Sequence, residues 1–556
     1  MFGRADTHVP CLCNSSYSVW VVNLGVLLLA HFVQRKTRIQ FRMTSLEPPG
    51  SETPNQRHVP IKLTTRHPDI TISDPGPHFV PTAFRRYGLS EIVNHLLGLE
   101  SATRIPFDFL IDGAFLKTSL DEYLTANGLS AEVTLTLEYM RSVLPPVFKA
   151  CYKNDDWVAD VATISGRADG EAKGGEFLKK GEARVLAAGY DGIARIWDVT
   201  GTGEVNGVAA GHAGPVKCGG WIAQKRFLTA GMDRVVKLWG YDEPTQGDEE
   251  EMPDADKEGR MKGVVTPLAE FCSHKGMINS IAIHSATSQF LTASADGTVA
   301  LWSTHPSKCP PASQETSMPR HLKKRKIAPT STANVPRLAP LLVLAQSSGN
   351  PANSNPQPSS AVIFHPHDPT VSYSTTWSHQ ILTHDLTTSS LVSSLTTPHP
   401  ILSLTALPSL SLLAAGSSAR HITLHDPRAD ATTVSQATLR GHTNAVVSLC
   451  AAPTSEFLLA SASHDGTCRV WDVRAVGAGN TGGNVLAAGE GKAQGSLYLI
   501  KRESGEGGKV FCVDWNKEVG IVSGGEDRRV QVNTGVEVGG RGGEVKGVFG
   551  GGVGNS

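Results

Sequence analysis

Three segments of this 556-residue chain follow one ruler: a Ser or Thr, an Asp four residues on, and a Trp six beyond that. Thr229–Asp233–Trp239, Thr292–Asp296–Trp302 and Ser461–Asp465–Trp471 all fit it. Ahead of each stands a His in a Gly-His or Ser-His pair: His212, His274 and His442. Groups recurring at fixed offsets mark a repeated structural unit, and such a unit decides the architecture before any single residue is interpreted. The functional reading of the same residues is a His-Ser-Asp nucleophilic triad. Against it, the set recurs in three modules and the Trp takes part each time. Hydroxyl, imidazole, carboxylate and indole N–H can satisfy one another inside a sheet, as buried polar groups require.

The Trp slot of the ruler falls at Trp197, Trp239, Trp302, His384, His425, Trp471 and Asn533, at intervals of 42, 63, 82, 41, 46 and 62 residues. The basic period is a little over forty, and three intervals carry insertions. Each module reads as short alternating strands, for example Phe227–Ala230, a turn at Met232-Asp233, then Val235–Trp239. A period of ~40–45 with Gly-His and Trp-Asp punctuation marks WD40 propeller blades of four strands each. The expected fold is an all-β seven-bladed propeller over 147–534. Blades four and five retain only Ile381–Asp385 and Ile422–Asp426, and blade seven keeps Ser523 and Asp527 with Asn533 for Trp. Ring closure is expected to use Phe148–Asn154, ahead of the first blade.

The expected insertions lie at 241–265, 303–360 and 475–496. The first carries an acidic run, Gly247–Glu258, read as a solvated loop. The second is rich in Pro, Ser and Asn and contains Arg320, Lys323, Lys324, Arg325 and Lys326, a basic run of the nuclear-localisation or nucleic-acid type. Residues 475–496 form a Gly/Ala-rich loop, and 535–556 are a Gly-rich tail with no apolar face to bury, expected to be disordered. Residues 1–56 are an atypical extension. Its apolar run Val19–Val33 is shorter than the ~20 residues a bilayer span needs, and Arg35, Lys36, Arg38 and Arg42 follow it rather than precede it as in a secretory signal. The plainer reading is a translational start at Met43, with no membrane expected.

Net charge is −1, so nothing biases the whole chain toward nucleic acid. The nine Cys show no CxxC spacing and suggest no disulfide framework or metal site, which fits a reducing compartment. No G-x-S-x-G elbow, H-E-x-x-H or P-loop occurs, so the chain is not read as an enzyme.

Residues 57–146 lack the repeat. Val59, Ile61 and Leu63 alternate with polar neighbours as a strand, and Leu89, Ile92, Val93, Leu96 and Leu97 follow helical spacing up to Gly98. Ser119-x-x-Glu122 is a capping box opening a second helix that Gly128 ends. Val133, Leu135, Leu137 and Tyr139 then alternate as a last strand. Two short helices among strands predict a small α+β, ubiquitin-like roll.

RYGLSEIVNHLLG (Arg86–Gly98), PFDFLIDG (Pro106–Gly113), TSLDEYL (Thr118–Leu124) and EVTLTLEY (Glu132–Tyr139) leading to LPP resemble the Notchless-like, or NLE, domain. That domain heads a small group of WD-repeat proteins of large ribosomal subunit assembly. The strings look most like the branch that joins Pescadillo-type and Bop-type proteins in the PeBoW complex, with the Notchless sibling as the close alternative.

The resemblance implies a non-enzymatic assembly factor for the pre-60S particle, acting in pre-rRNA processing in the nucleus, nucleolus and nucleoplasm. It leaves direct RNA contact open. It also implies that the NLE domain is engaged by the MIDAS domain of midasin, a AAA ATPase, whose Mg²⁺ takes a carboxylate in trans. The matching position is Glu132. Mg²⁺ prefers hard oxygens in strict octahedral geometry with one or two carboxylates, so one exposed Glu replacing a water can act as a latch. Without the resemblance Glu132 is an ordinary solvated acid. Asp108, Asp112, Asp121, Glu122 and Glu138 compete; Glu122 is assigned to capping and Glu138 to the solvent face of a strand. The rival from another class is a ubiquitin-system adaptor with a substrate-binding propeller; a membrane-tethered scaffold would rest wholly on residues 19–33.

Overall fold

The computed structural model describes residues 57–534, apart from 100–103, 113, 144, 167–181, 200–202, 244–262, 313–334, 346–356, 429–436, 476–495 and 504–507. The apolar run 19–33, Met43, the acidic run 247–258, the basic run 320–326 and the tail 535–556 all lie outside the described residues. Among the described residues, no helix is long and apolar enough to cross a membrane.

The first domain is a five-stranded sheet with two helices. Its strands are β1 (His58–Thr64), β2 (His78–Pro81), β3 (Phe107–Ile111), β4 (Ala114–Phe115) and β5 (Leu135–Arg141), in the order β2-β1-β5-β3-β4. β1 runs parallel to β5, and β3 antiparallel to it. Helices α1 (Arg86–Leu96) and α2 (Leu120–Asn127) stop next to Gly98 and Gly128, at φ +68° and +65°. Both glycines take the left-handed conformation that L side chains avoid. Alternate strand residues Val59, Ile61, Leu63, Phe107, Phe109, Leu135, Leu137 and Tyr139 meet Leu89 and Val93 of α1 in one buried core. Tyr139 buries its hydroxyl by donating to the Ile70 carbonyl at 2.6 Å and accepting from the Ile72 amide at 3.1 Å.

Two expectations change here. Ser119 caps α2 by accepting from the Glu122 amide at 3.3 Å, but the Glu122 carboxylate reaches Arg85 instead of closing a reciprocal box. The last strand begins at Leu135 rather than Val133, because a tight turn consumes the residues before it.

The seven remaining sheets are propeller blades. The strand β6 (Val147–Lys153) pairs with Arg529–Thr534 as the outermost strand of blade seven, so the chain before the first blade closes the ring. All seven Trp-slot residues occupy the third strand of their blades, including His384 in Gln380–Asp385, His425 in His421–His425 and Asn533 in Arg529–Thr534. Second strands such as Ala183–Gly189 and Leu458–Ser463 are buried along their whole length, as expected of strands covered on both faces by neighbouring blades. The stretch 303–360 is not wholly an insertion. Leu342–Ala345 is the outer strand of blade three, and Arg337–Leu338 lies parallel beside Val264–Cys272 of blade two.

The outer face of the first sheet is covered. Leu110 and Met140 alternate with the core residues and so point away from the helices, yet they are only 2% and 3% exposed. What covers that side of the sheet is the edge of blade six (Val446–Ala451, Leu458–Ser463, Thr467–Asp472, Ser496–Lys501). Glu138 points to the same side, where it pairs with Arg66 at 2.9 Å with little exposure, and is not the freely solvated acid its strand position suggests.

Candidate functional site

The repeated polar groups form one chain of hydrogen bonds per blade. In blade two the Trp239 indole donates to Thr229 Oγ1 at 2.7 Å, Thr229 meets His212 Nε2 at 2.6 Å, and His212 Nδ1 meets Asp233 Oδ2 at 2.7 Å. Blade six repeats this with Trp471, Ser461, His442 and Asp465 at 2.7, 2.7 and 2.8 Å. The indole N–H can only donate, so each hydroxyl accepts from it and shares a second bond with the imidazole, whose other nitrogen meets the carboxylate. Each hydroxyl is thereby committed to its neighbours inside the sheet, and its burial closes it to substrate. Blade three differs: His274 Nδ1 meets the Thr298 hydroxyl at 3.0 Å, and that hydroxyl donates to Asp296 Oδ1 at 2.5 Å. Burial raises the carboxylate pKa of Asp465 and of Asp296, but bonds from His442 and Thr467, and from His274 and Thr298, outweigh it and leave both below the usual range.

The diverged blades find other solutions. In blade seven Arg502 takes the histidine's place, donating to Ser523 Oγ at 2.7 Å and to both carboxylate oxygens of Asp527. The ruler shows Ser523 and Asp527 but not this partner; the surviving pair without a preceding Gly-His was the available signal. In blade one Asn154 accepts from the Trp197 indole at 3.3 Å. His425 bonds Thr423, whereas His384 Nε2 is buried without a partner. Burial pushes the pKa of each down to about 4.

Glu132 sits elsewhere, in the turn between α2 and β5. The Val133 amide donates to the Ser130 carbonyl at 3.2 Å, and the Glu132 amide to the Ser130 hydroxyl at 3.3 Å. Upstream, the Leu129 amide closes on the Leu124 carbonyl, and Ala131 packs against the domain core. The backbone is held on both sides while the Glu132 side chain stays exposed, with no ion pair among the described residues. Most of its competitors are engaged. Asp108 pairs with Arg86 at 2.9 Å and its pKa is raised by burial; Glu122 pairs with Arg85, and Glu138 with Arg66. Asp112 lies beside the Tyr123 hydroxyl, and Asp121 sits in the first turn of α2, where the helix dipole favours an acid. No group of three or more His, Cys, Asp or Glu able to hold a metal occurs among the described residues.

Similarity to known proteins agrees with this two-part plan. The NLE (NUC135) domain matches residues 59–124, ending before the Glu132 turn, and the WD domain, G-beta repeat, matches 265–303 and 433–472. The ribosome biogenesis protein ytm1 of Neosartorya fischeri is 44% identical over 500 residues, covering 86% of this chain and 96% of that protein. YTM1 of Ajellomyces capsulatus is 45% identical over 497 residues (86% and 94%), and ytm1 of Botryotinia fuckeliana 42% over 496 (86% and 98%). With an NLE domain, seven blades and such identity across nearly the whole of these relatives, the chain belongs to the Ytm1 family of ribosome biogenesis proteins.

Proposed function

We propose that this member of a ribosome biogenesis family is a non-enzymatic assembly factor of the large-subunit precursor. Its propeller docks the Bop-type and Pescadillo-type proteins, and its NLE domain is the handle by which midasin withdraws the subcomplex. The observation that carries the latch is the Glu132 turn: a carboxylate without an ion pair among the described residues, exposed on a backbone pinned by Ser130 and Leu129. Preorganisation of this kind limits the entropy lost on docking. Glu132 would supply one hard oxygen to a Mg²⁺ held by the partner's MIDAS domain, in place of a water. The propeller's polar groups support the scaffold part of the reading, because each buried set is occupied in holding its own blade. The ubiquitin-adaptor reading loses ground, since the outer sheet face that would read a partner is covered by blade six.

Pulldown of the full chain with a midasin MIDAS fragment tests this. Capture should require Mg²⁺, vanish with Glu132→Ala and weaken with Glu132→Asp, whose carboxylate reaches one methylene less. Capture that survives both chelation and Glu132→Ala would end the latch reading.

A further inference from the structure

The NLE sheet and blade six meet through specific side chains. The Arg474 guanidinium lies 4.2 Å from the centre of the Phe457 ring and donates to the sulfur of Met140 on β5. Asp472 holds that guanidinium in place through Nε and Nη2, at 3.0 and 2.8 Å. Arg66 approaches the same ring at 5.8 Å, and His67 meets it edge-on at 6.2 Å. Farther along, the Tyr498 hydroxyl of the outer strand of blade six donates to the Val143 carbonyl at 2.7 Å. β4 packs on the 3₁₀ turn Val473–Ala475. The described residues of both domains belong to one compact unit.

We infer that this contact is a rigid joint, and that a pull applied at the Glu132 turn reaches the propeller through blade six rather than by straightening the connection after β5. The inference deepens the proposed function and rests on it for the source of the pull. Three features carry it. Leu110 and Met140, apolar on the wrong side of an otherwise regular strand pattern, are removed from water only by the docked arrangement. The guanidinium is fixed before docking by Asp472, so closing the joint orders few new rotamers. The Tyr498 bond secures the connection itself, leaving little slack between the domains.

The test uses the full chain with optical-tweezer handles and a fluorophore pair introduced, through unnatural amino acids, at Thr125 and Lys517. The wild type should give one narrow distance distribution and a distinct rupture step before any extension of the connection. Met140→Lys, which leaves the NLE core untouched, should broaden the distribution and abolish the step. Tyr498→Phe, which removes one hydrogen bond, should lower the docked-to-undocked ratio by about fivefold. Both variants should retain wild-type far-UV circular dichroism and Mg²⁺-dependent MIDAS capture. A wild type as broadly distributed as Met140→Lys, or extending at low force without a step, overturns the joint. Loss of capture in the wild type would instead sink the midasin reading and leave the joint standing.

Discussion

Arg502 grips Asp527 through two parallel hydrogen bonds, Nε to Oδ2 at 2.9 Å and Nη2 to Oδ1 at 2.6 Å. The planar guanidinium matches a carboxylate in a way an imidazole cannot, and its remaining nitrogen reaches Ser523. Blade seven thus keeps the hydroxyl and the carboxylate of the repeat while changing the group that joins them.

Removing that joining group should be costly. Arg502→Ala takes the guanidinium away from the nearly inaccessible Asp527 carboxylate, which keeps its bond from the Arg529 amide, and should destabilise the chain by about 3 kcal/mol. Arg502→Lys should recover only part, having one point charge for two bonds. Urea denaturation checks both; a loss below about 0.5 kcal/mol, the range of ordinary surface substitutions, would contradict the assignment.

The repeated hydroxyls are structural, so their loss should be read in stability and not in partner capture. Thr292→Val strands His274 Nε2 and the Trp302 indole together and should cost about 2–4 kcal/mol. Ser461→Thr keeps the hydroxyl and should cost under about 1.5 kcal/mol. Thermal melting beside the MIDAS pulldown would expose any direct binding role.

Acid should weaken blades four and five. Burial holds His384 and His425 at a pKa of about 4, against about 6.5 in the unfolded chain, so between these values the unfolded state binds more protons. Their stabilisation is fully present above about pH 6.5 and is lost as pH falls toward 4. His384→Phe with His425→Phe should flatten the dependence of urea midpoint on pH over that window. An unchanged slope would mean the two imidazoles do not set it.

The joint should loosen in the same direction. Burial, then the charges of Arg474 and Arg141, lower the pKa of His67, while Glu456 and Glu138 oppose them. Undocking returns the imidazole toward its ordinary value of about 6.5, so docking is favoured above that pH and weakened as pH falls through and below it. The fluorophore pair should report a growing undocked fraction from pH 7 to 5.5 in the wild type and a smaller change in His67→Phe.

On the proposed function, the Ser130 hydroxyl positions the Glu132 latch by accepting from its amide. Ser130→Ala removes the acceptor for the Glu132 amide and should weaken MIDAS capture about threefold while shifting stability by less than about 0.5 kcal/mol. Equal capture by the two proteins would show that the turn needs no side-chain support.

Much of the architecture was legible along the chain. The ten-residue offset from Thr229 to Trp239 and its copies spans one hairpin, so the spacing survives at His384, His425 and Asn533 where the chemistry has changed. Strand alternation in Val59–Leu63 and Leu135–Tyr139 likewise marked the NLE core, because a period of two reports which face is buried. Alternation alone carries the last strand back to Val133, whereas the Val133 amide closes on Ser130 and the strand begins at Leu135.

What sequence alone determined here is the local and periodic part: blade count, ring closure by the strand before the first blade, and glycine-ended helices. These follow from hydrogen-bond geometry and pleat repeating at fixed spacing. Tertiary structure decided which groups meet across long stretches of chain. Arg502 stands in for a histidine because the fold brings the outer strand of blade six to the hairpin of blade seven. Leu110 and Met140 lie on the face that alternation assigns to solvent, and only the docking of blade six takes them out of water.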